Sequence, residues 1–592
     1  MGWRKHLSRR HRIGALLFVV MGWGLLAAVG GATGAVVAAV QTGQVSEPQY
    51  SWVLDKDVDI PMRDGAILKA DVFRPDAPGQ FPVLVEISGY EKDKLWVPAP
   101  EIAESNPYMN WETGDPEWWC PRGYVLVRVD SRGTGKSPGE GRPWSRQENL
   151  DFYDSIEWAG VQPWSNGNVG TQGISYMAMN QWWVAELQPP HLKAIIPWEG
   201  LADMYREGSY HGGIFYNFGY SWWFSRVFEH VQGPAQAYNA DALSYNWVWH
   251  LMRNRLDNGY YDDVQADWDK VVVPMYSAGN WNHILHTRGN TEGFFRAASE
   301  HKKLEMHTGT HTGSFYSDLG RMTQLRFYDY WLKGIDTGIM DEPRVKACVR
   351  TSATDCEWRY NEDWPFDNAK WTRFYLNAPG GAVSEGAPGT LVDSAPSTAS
   401  VATYPMIGRY RGAPRPRGVS FVSEPMAEDT EVIGPVNLVL WVSSSVDDMD
   451  IFATVRNIDP EGNEITYCCE LSSQVPAGRG WLKVSHRKLD PTLSTFFRPY
   501  HPHDFEEKLT PGEIVQVEVE VYPIGTVFNK GHRIQLDIGP TDLPPRMSWT
   551  HRTRPLSSLE EITNSLYMGG DRASYLLLPV VPTPEAEVTA RR

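Results

Sequence analysis

Gly173-Ile174-Ser175-Tyr176 stands where the sequence changes period, and that junction decides the fold. Upstream, Gly167-Asn168-Val169-Gly170-Thr171-Gln172 reads as a short strand entered from a turn. Downstream, Met177 to Leu187 has a helical pattern that is closed by Pro189-Pro190. A serine at a sharp strand-to-helix turn projects its hydroxyl from the tip, near the positive end of the new helix. Gly173 suits a tight backbone approach, and Ala178 lets the helix lie close to the strand. The stretch departs from G-x-S-x-G at Met177, which stands where the second glycine would be. G-x-S by itself is common by chance, so its meaning rests on the surroundings.

Those surroundings are strands alternating with helices. Pro82–Ile87, Tyr124–Val129, Lys193–Pro197 and Val271–Tyr276 are nearly continuous apolar runs with helical segments between them. Such runs belong to a parallel sheet buried on both faces. A β-hairpin with its turn at Asp64-Gly65 precedes them. Residues 201–269 are crowded with Tyr, Trp and Phe, as in Tyr220-Ser221-Trp222-Trp223-Phe224, and predict a helical cap over the C-terminal edge of the sheet. After Pro343 the texture becomes all-β. Val515–Val521 alternates strictly, and Pro435–Val442 and Tyr575–Val581 are further strands. The expected organisation is an α/β domain over residues 41–200 and 270–342, a cap over 201–269, a β-sandwich of jelly-roll type over 343–585, and a polar tail over 586–592.

The 592 residues carry a formal net charge of -17, with no basic block after the N-terminus, which argues against a nucleic-acid partner. Arg4, Lys5, Arg9, Arg10 and Arg12 precede an uncharged run from Ile13 to Val40, long enough to span a bilayer. The basic flank, residues 1–12, is expected to stay in the cytoplasm and to leave the chain after about residue 41 outside. The run reads as a transmembrane anchor or, given the small residues near Ala38-Ala39, as a cleaved signal; either exports the chain. Of five cysteines, Cys348 and Cys356 flank a short turn that suits a hairpin disulfide, while Cys120, Cys468 and Cys469 read as buried thiols. The 26 Trp and 27 Tyr serve a core first, but such rings also line apolar pockets.

Taken in order, these segments resemble the α/β-hydrolases of the X-prolyl dipeptidyl-peptidase and cocaine-esterase group, from about residue 50 to 585. The resemblance is carried by the Val58–Gly65 opening, Asp130-Ser131-Arg132-Gly133-Thr134-Gly135-Lys136-Ser137, Gln162–Gly167, Ser175-Tyr176, Val521-Tyr522-Pro523 with Gly531-His532-Arg533, and Gly569-Gly570-Asp571-Arg572. It implies Ser175 as nucleophile, with an oxyanion hole made by the backbone N–H of Tyr176 and the phenol of Tyr90. It implies His311, in the turn after Leu304–Thr308, as general base, with His307 as a competitor inside the strand.

The third member of the triad departs from the family pattern. An aspartate is expected after the Trp of Gly279-Asn280-Trp281-Asn282-His283, but Asn282 stands there and no carboxylate occurs from Gly279 to Asn290. A neutral amide can fix an imidazole tautomer but adds no charge. Glu199, just after the strand that precedes the cap, is the topological alternative, with Asp318 a further candidate. The implied activity is acyl transfer to water from an ester, an amide or an X-Pro peptide, with no cofactor; family members are often oligomeric. Two rival readings stay open. A catalytically impaired hydrolase fold would bind a ligand at the cell surface. A His-ligated metallohydrolase would use His283-x-x-His286 or His307-x-x-x-His311, although those spacings converge only on a helix.

Overall fold

The computed structural model describes residues 43–94, 106–223, 245–379, 387–407, 418–469, 472–543, 549–553 and 561–582. The expected N-terminal span, 13–40, and the tail lie outside them. Among the described residues no helix is long and apolar enough to cross a membrane.

Strands β1 (Trp52–Pro61) and β2 (Ile67–Pro75) form the opening hairpin, turning at Gly65 with φ 87°. Then follow β3 (Phe81–Ser88), β4 (Val125–Asp130), β5 (Ser165–Thr171), β6 (Leu192–Ile195), β7 (Met275–Asn280), β8 (Lys302–His307), β9 (Val345–Arg350) and β10 (Cys356–Asn361). Their ladders give the spatial order β1-β2-β4-β3-β5-β6-β7-β8-β9-β10, parallel from β4 to β9.

Every residue of β3 and β4 is buried, and the period-2 pleat divides them between two cores. Val83, Val85, Ile87, Val125, Val127 and Val129 join one core. It also contains Phe152 and Ile156 of α1 (Arg146–Gly160), Trp182 of α2 (Tyr176–Ala185) and Phe294 of α3 (Arg288–Arg296). Leu84 and Leu126 join the other, with Leu325, Phe327, Tyr328 and Leu332 of α4 (Asp318–Lys333). Helices therefore cover both faces, and the loops leaving the C-terminal ends of β3, β5, β6, β7 and β8 meet at one edge.

The insertion after β6 is only partly helical. Its described part holds helical turns at Met204–Ser209, Phe218–Trp222 and Trp247–Arg253, but also a β-hairpin, Tyr210–His211 with Ile214–Tyr216. The all-helical expectation fails there because Gly212 and Gly213 supply two consecutive positive φ angles, 54° and 84°, which a tight hairpin turn requires. His551–Arg552, from the C-terminal part of the chain, adds a third strand to that hairpin.

From Lys370 onward the chain is β-structure around one apolar core. Lys370–Asn377, Tyr575–Val581, Thr430–Ser444 and Val515–Phe528 pair in one layer. Gly389–Val392, Val419–Ser423, Arg533–Gly539, Asp450–Ile458 and Gly478–Lys483 pair in another. Cys348 and Cys356 are bonded across the β9–β10 hairpin. Cys120 is a buried free thiol. Cys468 corrects the thiol reading: it is exposed and disulfide-bonded, and it sits on a short hairpin strand at the surface rather than in the core.

Candidate active site

Three polar residues each stand four positions beyond the end of a parallel strand: Ser175 after β5, Glu199 after β6 and His311 after β8. The serine turn is tightly built. Ile174 N–H donates to Glu112 O, and Ser175 N–H donates to Trp198 O, both at 3.0 Å, while Trp198 bridges Ile174 to Ala278. Ser175 itself lies at φ 55° and leads directly into α2. A Cβ on Gly173, at φ 122°, would lie 2.5 Å from Met177 Cβ, so with methionine in the second glycine position the first has to stay glycine. Ala178 meets Gly200 closely on the other side, where a Cβ would lie 3.0 Å away.

Glu199 is fully buried, and its N–H donates to Ala278 O at 2.6 Å. Its Oε2 accepts from His311 Nδ1 at 2.7 Å; its Oε1 accepts from His307 Nε2 at 2.8 Å and from Asn280 Nδ2 at 3.1 Å. Burial alone would raise its pKa, but the His311 and His307 rings outweigh that and hold it near 2, so the carboxylate stays ionised. His307 is stacked on Trp198 and spends its Nε2 on Glu199.

Asn282 lies apart from this set. Its amide donates to Thr308 Oγ1 and Cys468 O, each at 2.6 Å, and its Oδ1 accepts from buried Arg350 at 3.1 Å. The structure thus does not bring the Asn282 amide to His311; the side chain joins the β7 loop to the C-terminal domain. Asp318 is exposed at the start of α4.

Glu112 adds a contact that no local sequence pattern marks. Its Oε1 lies 3.0 Å from His311 Nε2, and it is buried in the loop between β3 and β4. Nothing local predicts a contact made across 199 residues of chain. The only echo is that Trp111-Glu112 repeats the Trp-Glu pair of Trp198-Glu199. A carboxylate within hydrogen-bond reach of each ring nitrogen favours the imidazolium, in which both nitrogens donate. Burial would lower the His311 pKa, yet Glu199 and Glu112 raise it well above the ordinary histidine value. Among the described residues eight non-glycines have positive φ, and Glu112, Ser175 and Glu199 are three of them. Strained backbone of this kind gathers where side-chain placement outweighs local cost.

Tyr90 is buried two residues beyond β3, its ring 5.4 Å from that of Tyr176, and its phenol oxygen accepts from Trp222 Nε1 at 2.9 Å. Tyr176 opens α2. Its phenol donates to Glu148 at 2.6 Å, leaving the backbone N–H as the group it can aim beside Ser175.

His283, His286 and His311 each offer a nitrogen within 4.8 Å of the others. Their ring centroids are 4.3 to 4.9 Å apart; His286 and His311 are stacked with planes 7° from parallel, and His283 is tilted by 30° and 34° against them. A bound metal lies in each ring plane at about 2 Å from nitrogen, and the nearly parallel planes of His286 and His311 do not converge on one point. Asp57, Asp71 and Asp93 also cluster, but the Lys92 ammonium lies between them at 2.6, 2.9 and 3.2 Å.

A parallel sheet of this order with a serine elbow after β5 and a carboxylate–histidine pair at the same edge is an α/β-hydrolase. The chain belongs to the X-Pro dipeptidyl-peptidase and CocE/NonD family of serine hydrolases. Residues 64–313 match the X-Pro dipeptidyl-peptidase (S15 family) model, and residues 337–577 match the X-Pro dipeptidyl-peptidase C-terminal non-catalytic domain. A crystal structure of a CocE/NonD family hydrolase from Staphylococcus aureus is 35% identical, with TM-score 0.80 over 90% of this chain and 94% of that one. Cocaine esterase from Rhodococcus sp. is 25% identical over 90% of this chain and 99% of its own length. An α-amino acid ester hydrolase structure shares the fold at 17% identity, with TM-score 0.64 over 93% of this chain and 100% of that one.

Proposed function

We propose that the chain hydrolyses an ester or amide through an acyl-enzyme, with Ser175 as nucleophile, His311 as general base and Glu199 as the orienting acid. The observation that carries this is the 2.7 Å bond from His311 Nδ1 to Glu199, made at the strand edge where Ser175 turns into α2. Glu199 fixes the tautomer that leaves Nε2 toward the serine and stabilises the imidazolium formed in each step. For Nε2 to take the serine proton, the Glu112 carboxylate has to give way, and the ring has to lose its resting proton. Ser175 Oγ then attacks the carbonyl carbon, and the oxyanion is received by Tyr176 N–H and the Tyr90 phenol. His311 passes the proton to the leaving oxygen or nitrogen, then activates water against the acyl-serine. An X-Pro dipeptide amide and a simple acyl ester are both consistent with this chemistry.

The basic flank and the uncharged run Ile13–Val40 support an exported enzyme, held by a membrane span or released by cleavage. A second reading, a hydrolase fold that binds without turnover, draws on the bond between Glu112 and the base nitrogen. A fluorophosphonate probe on the full chain separates the two. Covalent labelling that is abolished by Ser175→Ala, together with ester turnover, is the expected result. A folded protein that takes up no label and turns over no ester would establish the binding reading instead.

A further inference from the structure

The phenol of Tyr90 has a choice to make before it can serve an oxyanion. A tyrosine O–H lies in the plane of its ring and can point to either side, and the oxygen accepts hydrogen bonds on the side the proton leaves vacant. Trp222 Nε1 donates to that oxygen at 2.9 Å. Both side chains are buried, Tyr90 at 4% exposure and Trp222 at 6%, so water does not readily replace the bond.

We infer that Trp222, a residue of the insertion, is a positioning residue for the oxyanion hole: its indole N–H sets which way the Tyr90 O–H points. This rests on the reading of Tyr90 as an oxyanion donor. With the indole N–H on one side, the phenol proton is driven to the other. The accepted bond also polarises the O–H and makes it a stronger donor. Trp222 never touches the reacting atoms in this scheme. It acts only through Tyr90.

The indole is itself held firmly. It stacks on Trp144 with centroids 4.5 Å apart and planes 19° from parallel, and Trp144 lies 4.6 Å from the ring of Tyr176. One aromatic cluster therefore packs against both residues that would supply donors. The short helix carrying Trp222 follows Asn217, whose N–H donates to Thr550 O at 3.1 Å and whose side chain accepts from Thr550 N–H at 2.8 Å. The neighbouring ladder pairs Tyr216 with His551, and Trp549 packs 4.8 Å from Phe218. The C-terminal domain thus braces the helix turn that orients Tyr90, and the oxyanion hole depends on three parts of the chain.

The test is a double-mutant cycle on the full chain with p-nitrophenyl butyrate. Trp222→Phe keeps an aromatic ring for the stack and deletes the N–H; Tyr90→Phe deletes the phenol. Losing an oxyanion donor costs about 10²- to 10³-fold in kcat, so Tyr90→Phe is expected in that range. Trp222→Phe is expected to lower kcat about tenfold with KM within about twofold, and the double variant to match Tyr90→Phe alone. Affinity for a boronic acid, which forms a tetrahedral adduct on serine, is expected to fall in parallel in both single variants.

A Trp222→Phe enzyme of unchanged kcat beside a crippled Tyr90→Phe overturns the inference and leaves the oxyanion reading standing. So do multiplicative losses in the double variant. If Tyr90→Phe retains full kcat, the oxyanion reading itself fails and takes this inference with it. Should Trp222→Phe fold poorly, seen as a lost melting transition, Trp222→Leu, which also lacks a donor, and the boronate measurement decide in the same way.

Discussion

Glu199 Oε2 accepts from His311 Nδ1 at 2.7 Å, and the same carboxylate accepts from His307 and Asn280 through Oε1. The carboxylate is therefore ionised and held by three hydrogen bonds, as an orienting group needs to be. Glu199→Gln keeps the shape but presents an amide that bonds either imidazole tautomer. A loss of about 10⁴-fold in kcat is expected, as for a triad acid turned to its amide. Steady-state kinetics with an activated ester measures it. A variant within tenfold of wild type would remove Glu199 from the catalytic set.

Asn282 gives the opposite expectation. Its bonds go to Thr308, Cys468 O and Arg350, and Arg350 in turn donates to Gly525 O and Ala477 O. Asn282→Ala leaves the buried Arg350 guanidinium one partner short, at about 1–3 kcal/mol, while Thr308 and Cys468 lie near enough to solvent to be served by water. Thermal or urea unfolding is expected to show a clear loss of stability. The kcat of the folded fraction is expected to fall by less than about tenfold, because the amide reaches none of the reacting groups.

Gly173→Ala tests the elbow. The new methyl would meet Met177 Cβ at 2.5 Å, and its backbone would stay at φ 122°, which non-glycine residues avoid. Strain of about 1–3 kcal/mol is expected to relax by moving the turn, which carries Ser175 away from His311. Fluorophosphonate labelling is expected to slow by at least about 10²-fold, since small misplacements of reacting groups have that scale of cost. Gly173→Ala with Met177→Gly, which restores the missing space, is expected to recover part of the rate.

How far the sequence could be read follows from the range of each signal. Local period and burial are written in short windows, so the strands ending at Ser88, Asp130 and Thr171 and the serine turn were legible. The hairpin at Tyr210–Tyr216 was not, because aromatic crowding looks alike in a helix and in a short strand pair, and Gly212-Gly213 by itself does not separate the two. Glu112 could not be read at all. Its importance lies in reaching a histidine 199 residues away, and that distance is closed only by the sheet order. Asn282 shows the same limit: the resemblance puts it where an acid is expected, while in space its bonds run to Arg350 and Cys468.

The Glu112 contact makes a prediction about pH. His311 lies between two carboxylates, so its pKa is raised well above the ordinary histidine value despite the burial that would lower it. A general base works only when unprotonated, so kcat/KM is expected to climb with pH toward a midpoint clearly above about 6.5, the unperturbed value. Glu112→Gln removes one of the two charges. An opposite charge at this distance shifts a pKa by about 1–3 units, so the midpoint is expected to move down by at least about one unit and activity at neutral pH to rise. Stability runs the other way. A group whose pKa is raised on folding stabilises the protein fully below its unfolded pKa, and that contribution is lost as pH rises through the folded one. The wild-type melting temperature is therefore expected to fall across the alkaline window in which activity rises, and Glu112→Gln to flatten that fall. An activity profile centred near the ordinary histidine value in both proteins, with parallel melting curves, would mean that Glu112 exerts no hold on the base.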